Sequence, residues 1–358
     1  MTLVLAGLLL MGIRTRIGAV LTASRARMAG LAAGALAMAV VVTLGLALQH
    51  GFGWAAAVAG GLGAGAALGL WLLYPTPVLI LVVMVTLGVD AMLRHADALY
   101  RDRSFFGTHR VSERAGLHVY SNGTTVHGVQ RVADLGAERP EPLSYYHRNA
   151  PMAQVLTSSR ADAAETVGIV GLGIGALTCY RQPQQSWHLY EIDPVVDRLA
   201  RTPELFSFVT ACTPDAPTHL GDARMVLAGQ EDLAFDILVI DAYSSDAVPV
   251  HLTTTEAMEL YLDRLAPAGI LVYHISNRYY EIDRPLGRSA AELGLAAMRQ
   301  RFAGGEDRAE EPSVHVVMLA RDAADFAELA ADPRWEVLED DGGRLWTDDH
   351  ADLLSILR

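Results

Sequence analysis

The chain of 358 residues carries 28 Lys and Arg against 41 Asp and Glu, a formal charge of −13, and 51% of its residues are hydrophobic. Its basic residues are dispersed, which excludes the positive footprint of a nucleic-acid binder, and the length has room for two domains. Only Cys179 and Cys212 are present, with no CxxC or histidine cluster beside them. They read as reduced, packed thiols, and neither a disulfide framework nor a metal site is expected.

The hydrophobic excess lies at the front of the chain. No charged residue occurs in 28–49 or in 51–88, and a helix that crosses a bilayer needs about 20 mostly apolar residues. Residues 28–48 and 52–73 therefore read as spans and 78–93 as a shorter third. Residues 1–13, which stop at Arg14 and Arg16, are a short fourth span or, as the runner-up, a signal-peptide core. The region 1–100 is thus expected to be three or four transmembrane helices embedded in the lipid bilayer. Gly30 with Gly34, and Gly61 with Gly65 and Gly69, form small-residue stripes along which such helices approach closely, within the chain or at a homo-oligomer seam. Arg14, Arg16, Arg25 and Arg27 belong in the cytoplasm by the positive-inside rule. Three full spans after them would put the rest of the chain outside.

RHADALYRDR, residues 94–103, is a charged exit into water. The segment 117–127 reads as two short strands around Asn122-Gly123, a strong hairpin signal, so 101–135 is expected to be a small β element. Residues 131–160 are irregular and carry the polar-aromatic run LSYYHRNAP, 143–151. From 166 onward the chain alternates. Strands are expected at 166–170, 188–192, 235–240 and 269–274, with helices at 176–181, 194–201, after Gly221-Asp222-Ala223, and at 254–265. That alternation predicts an α/β Rossmann-like domain over 136–358, with a parallel sheet covered by helices on both faces. A late strand at 314–319 would close the sheet edge. In WTDDHADLLSIL, residues 346–357, Thr347 or Asp348 would cap a final helix.

The first residues with chemistry in them are GIVGLGIGA, 168–176. Gly171, Gly173 and Gly175 between a buried strand and a helix let the backbone approach a ligand closely, and the helix start adds positive potential. Glu191 ends the next strand twenty residues after Gly171, where a ribose-binding carboxylate falls in such folds. Asp222 follows a third strand and doubles as a helix N-cap. FDILVIDAYSSDAVP then runs four aliphatic residues, Ile237 to Ile240, straight into Asp241, with Asp246 five positions later. Ligands in open α/β sheets bind at the carboxyl ends of strands, so these ends converge on one crevice. No P-loop accompanies them, which points to a nucleoside without a pyrophosphate, such as S-adenosylmethionine or its relatives.

In this order VGIVGLGIGAL, LYEIDPVV, LGDARM and IDAYSSDAVP resemble the spermidine synthase (polyamine aminopropyltransferase) family, specifically its membrane-anchored bacterial branch. The resemblance runs from about Arg103 to the C-terminus and includes RSFFGTHRV, SYYHRNAP and WTDDHADLLSIL. It implies that Glu191 binds the ribose hydroxyls, that Asp222 and Ala223 hold the adenine, and that the 171–175 turn takes the rest of the nucleoside. It further implies that Asp241 orients and deprotonates an attacking amine, with Tyr145, Tyr146, His147, Tyr243 and Asp246 around the acceptor. The co-substrate would be decarboxylated S-adenosylmethionine or S-adenosylmethionine itself, without a metal. Three positions depart from the family: Ile174 replaces an acid that holds the donor's amine, His147 replaces the Glu of a Tyr-x-Glu signature, and Asp246 lies two residues late. These departures keep open an S-adenosylmethionine lyase that needs no acceptor, methyl transfer, and a non-catalytic membrane sensor. Because the donor is made in the cytoplasm, the catalytic part is expected on the cytoplasmic side of the bacterial inner membrane, against the arginine count.

Overall fold

The computed structural model describes residues 98–123, 125–242, 249–277, 279–305 and 310–358. The expected transmembrane segments, and with them Tyr243 and Asp246, lie outside the described residues. Among the described residues no helix is long and apolar enough to cross a membrane.

Four strands open the described part as an antiparallel meander in chain order: β1 (Ala98–Ser104), β2 (Gly107–Arg114), β3 (Leu117–Asn122) and β4 (Thr125–Arg131). Asn122 faces Thr125 across the turn, where Gly123 adopts φ 60°. The Asn-Gly signal marks β3 and β4. The strands β1 (ALYRDRS) and β2 (GTHRVSER) are rich in charged and polar residues and carry no hydrophobic run, so the sequence pattern did not mark them.

The chain then makes α1 (Pro151–Leu156), α2 (Ser159–Asp162), β5 (Thr166–Val170), β6 (Ser186–Glu191), α3 (Pro194–Ala200), α4 (Phe208–Cys212), β7 (Thr218–Leu220), α5 (Ala223–Ala228) and β8 (Phe235–Ile240). It ends with α6 (Thr255–Asp263), β9 (Leu265–His274), α7 (Asp283–Glu292), β10 (Ala296–Phe302), β11 (Val314–Ala320) and β12 (Glu336–Val337). The eight strands order as β12-β10-β11-β9-β8-β5-β6-β7. The five from β9 to β7 are mutually parallel, and β11, β10 and β12 run antiparallel. This is the Rossmann-like α/β fold. Its aliphatic runs are continuous because both faces are covered. Ile237, Val239, Ile270 and Val272 pack in one core with Met152 and Val155 of α1. Leu238, Ile240, Leu271 and Tyr273 pack in the other with Met258, Tyr261 and Leu286 of α6 and α7.

Four expectations need correction. The strand β11 lies inside the sheet, because β10 pairs beside it. The polar AAMRQRF of β10 hides its strand character: Arg299 and Arg301 each donate to buried Asp283 Oδ2 at 2.8 Å. The segment after Gly175 is a 3₁₀ helix, Ala176–Tyr180, and not an α-helix. Asp348 starts no final helix; it accepts from Thr254 Oγ1 at 2.9 Å and from both Arg224 Nη atoms at 2.6 Å, tying the chain end to the start of α6.

The fourth correction concerns the cysteines. Cys179 and Cys212 form a disulfide with a Cα separation of 5.0 Å, within the range such bonds need. Their separation of 33 residues carries no motif. They meet because α4 packs on the Ala176–Tyr180 turn, where a Cβ at Gly175 would come within 2.3 Å of Val209 Cγ2.

Candidate active site

In the sheet order the chain leaves β5 toward β6 and β7, then returns to the other side of β5 with β8 and β9. The carboxyl ends of β5 and β8 therefore border the switch point of the sheet, where open α/β folds leave a crevice. A cavity of about 300 Å³ lies there, the lower end of the range for small-molecule sites. Its opposite wall comes from the small sheet, with Tyr120, Asn122 and His127 facing the strand ends.

Gly171 makes this crevice possible. Its φ is +92°, and a Cβ there would stand 2.3 Å from the Asp241 carbonyl oxygen; only glycine lets the β5 turn come this close to the end of β8. Gly173 also borders the cavity. Gly175 does not. It is turned toward Val209 and serves packing.

Glu191 is buried at the end of β6, where Oε2 accepts from the Leu172 N–H at 3.0 Å and Oε1 from the Asp193 N–H at 2.9 Å. Burial pushes its carboxyl up to about 7, against the pull of those two N–H donors. Each oxygen keeps a lone pair, and the side chain borders the cavity. Asp222 caps α5 by accepting from Met225 N–H at 3.2 Å, and its other oxygen lies 3.0 Å from His251 Nε2. Asp222, Ala223 and His251 all border the cavity. The neighbouring Asp193 is committed to the scaffold instead: it accepts from Ser104 Oγ at 2.5 Å and lies 3.0 Å from His109 Nε2, fastening the small sheet to the end of β6.

Asp241 is buried at the end of β8 with both oxygens engaged. Oδ2 accepts from Tyr146 O–H at 2.8 Å, and Oδ1 lies 2.6 Å from His274 Nδ1. Tyr145 borders the same cavity, its ring 5.4 Å from that of His274. His147 does not reach it. The His147 ring is buried against Phe302 at 4.9 Å, with Glu311 3.7 Å from its Nδ1, because the backbone of the Ser144–Tyr146 turn sends the two tyrosines and the histidine to different sides. Ile174 is likewise buried away from the cavity, against Gly128 of β4. Tyr243 and Asp246 lie outside the described residues.

The sequence reading missed His274 and Ser276. A signal was available: GILVYH ends an aliphatic run in an ionisable residue, as DILVID does one strand earlier. Among the described residues no group of three or more His, Cys, Asp or Glu is arranged to hold a metal ion.

A segment of 113 residues is 30% identical to the polyamine aminopropyltransferase of Vibrio vulnificus, and 121 residues are 30% identical to the probable polyamine aminopropyl transferase of Bifidobacterium longum. Over these segments the chain is similar to proteins described as polyamine aminopropyltransferases. The alignments take in 30% and 32% of this chain but only 36% and 25% of those proteins, so the chain matches about a third or less of the curated relatives' length. No family model matches. A probable spermidine synthase from Corynebacterium glutamicum superposes with a TM-score of 0.49 at 15% identity, covering 71% of this chain and 98% of that one. The spermidine synthase of Thermotoga maritima gives 0.47 at 16%, covering 71% and 82%.

Proposed function

We propose that this chain is an aminopropyltransferase that moves the aminopropyl group of decarboxylated S-adenosylmethionine onto an amine and releases 5'-methylthioadenosine. The observation that carries this reading is the convergence of buried Glu191 and Asp241 and the partly exposed Asp222 on one switch-point crevice beside a glycine turn. Glu191 would take the ribose hydroxyls, Asp222 with Ala223 the adenine, and the backbone at Gly171 and Gly173 the nucleoside body. Tyr145 and Tyr146 would line the acceptor side. In the transfer a C–N bond forms as the C–S bond of the sulfonium breaks, and the acceptor must first give up an ammonium proton. The buried carboxylate of Asp241 attracts that cation and fixes its approach.

Ile174 favours a second reading. Where the family carries an acid for the donor's amine, this chain has an apolar side chain packed on β4. S-adenosylmethionine itself could then attack its own γ carbon through its carboxylate, forming a lactone C–O bond as C–S breaks. Incubating the full chain with each donor, with and without putrescine, and reading products by mass spectrometry separates the two. Spermidine arising only from the decarboxylated donor plus diamine is the expected result. Methylthioadenosine from S-adenosylmethionine alone would replace the transferase by the lyase, and nucleoside binding without turnover would replace both by a sensor.

We further propose that residues 1–93 anchor a homo-oligomer in the bacterial inner membrane with the catalytic part in the cytoplasm, where the donor is made. The Cys179–Cys212 bond favours the opposite face, since disulfides persist outside the reducing cytoplasm, and so do the arginines at 14–27. Protease added to spheroplasts should leave residues 98–358 intact; their digestion before lysis would move the catalytic part outside.

A further inference from the structure

We infer that the proton lost by the acceptor amine is held by His274, reached through the hydroxyl of Ser276, and that Asp241 serves as the orienting carboxylate of this relay. The inference rests on the transferase reading and adds residues that the sequence pattern did not mark.

The geometry fixes the direction of each hydrogen bond. A carboxylate oxygen only accepts, so His274 Nδ1, 2.6 Å from Asp241 Oδ1, carries the hydrogen. Nε2 is then the basic nitrogen, and it lies 2.7 Å from Ser276 Oγ. Ser276 Oγ also accepts from the His315 backbone N–H at 2.9 Å. Its single hydrogen therefore points to His274, and its second lone pair remains for a donor in the cavity that Ser276, His274 and Asp241 all border. An ammonium N–H that donates to Ser276 Oγ can pass its proton there while the serine hydrogen moves to Nε2. The amine becomes neutral, the imidazole becomes imidazolium, and Ser276 is unchanged. The new cation rests against the Asp241 carboxylate.

Two features make this chain suited to such a relay. An imidazole that donates from Nδ1 keeps a basic lone pair on Nε2 to receive a proton, whereas both Asp241 oxygens are already engaged by Tyr146 and His274. The surroundings also supply a charged partner at Nδ1, Asp241. Among the described residues the groups around the ring are Asp241 from β8, the phenols of Tyr145 and Tyr146 at 5.4 and 6.3 Å between ring centroids, and Ser276 on its own strand exit. From β11 comes the His315 backbone, while the His315 ring is turned toward Arg301 and Asp283.

The test uses the full chain and His274→Asn, whose amide can still donate to Asp241 but cannot store a proton. A general base is worth roughly 10²–10⁴-fold. We expect kcat with the decarboxylated donor and putrescine to fall at least about a hundredfold, methylthioadenosine affinity to stay within about threefold, and the acidic limb of the kcat–pH profile to disappear. Retention of kcat within threefold and of that limb would overturn the relay. Ser276→Ala should lower kcat at least tenfold, and an unchanged rate would remove the serine from it. A second readout does not depend on turnover: proton NMR of the full chain should show a far-downfield Nδ1–H resonance that Asp241→Asn abolishes and Ser276→Ala preserves. Its absence from the unaltered protein would overturn the His274–Asp241 pair. If neither donor is turned over but this resonance is present, the transferase reading fails and the pair stands.

Discussion

Asp241→Asn is expected to lower kcat for aminopropyl transfer by roughly 10²–10⁴-fold, the range for loss of acid–base machinery, with little change in nucleoside affinity. The substitution keeps size and shape but does two things to the network. It removes the negative charge that would draw in a cationic acceptor. It also gives His274 Nδ1 an amide partner in place of a carboxylate that can only accept. If the amide nitrogen faces the ring, Nδ1 must accept, the hydrogen moves to Nε2, and the nitrogen that should receive the proton from Ser276 is blocked. Tyr146 O–H, 2.8 Å from Oδ2, can still donate to the amide oxygen, so folding should be preserved. Steady-state kinetics with a methylthioadenosine binding control checks this. A variant with more than about a tenth of the original kcat would remove Asp241 from the reaction.

Glu191→Gln carries the second large effect, on binding. A hydrogen bond to a charged group is worth about 1.5–3 kcal/mol, so loss of the ionised acceptor for two ribose hydroxyls should weaken methylthioadenosine binding by roughly 10- to 100-fold. The pH dependence is the more discriminating measurement. Burial raises the Glu191 carboxyl to about 7, and the ionised form is the one that accepts from both hydroxyls. Affinity should therefore fall about tenfold for each unit that pH drops below 7 and level off above it. The ligand-free fold has the opposite trend. A carboxyl whose pKa is raised on folding contributes stability that is fully present below its unfolded value and lost as pH rises through about 7. That loss is on the order of 3 kcal/mol, and Glu191→Gln should remove it. Calorimetric titration from pH 5.5 to 8 and urea unfolding over the same range test both signs; an affinity flat with pH would take the ribose role from Glu191.

Both expectations depend on residues that differ in how visible they were beforehand. Asp241 and Glu191 end strands whose partners are set by chain order, so a run of aliphatic residues closing in an acid announces them. The same logic applies to His274, but GILVYH reads as a strand that happens to end in histidine until β9 is known to lie beside β8. Tyr146 was legible as part of a polar-aromatic run. Its aim at Asp241, and the aim of His147 at Phe302 instead, come from the backbone of one short turn that no periodicity encodes.

By itself the sequence determined the alternation of strands and helices, the parallel core of the sheet, the Asn-Gly hairpin and the acids at the strand ends, because these follow from local pattern: burial on two faces, turn chemistry and period. Tertiary structure decided what depends on distant segments meeting. The β10 strand is recognisable only once Arg299 and Arg301 have Asp283 to reach. The Cys179–Cys212 bond exists because Val209 fits against Gly175. The Ser276–His274–Asp241 chain forms because two parallel strands end at the same height. Contacts between residues tens of positions apart leave no periodic trace in the chain, since each partner looks ordinary until the other is beside it.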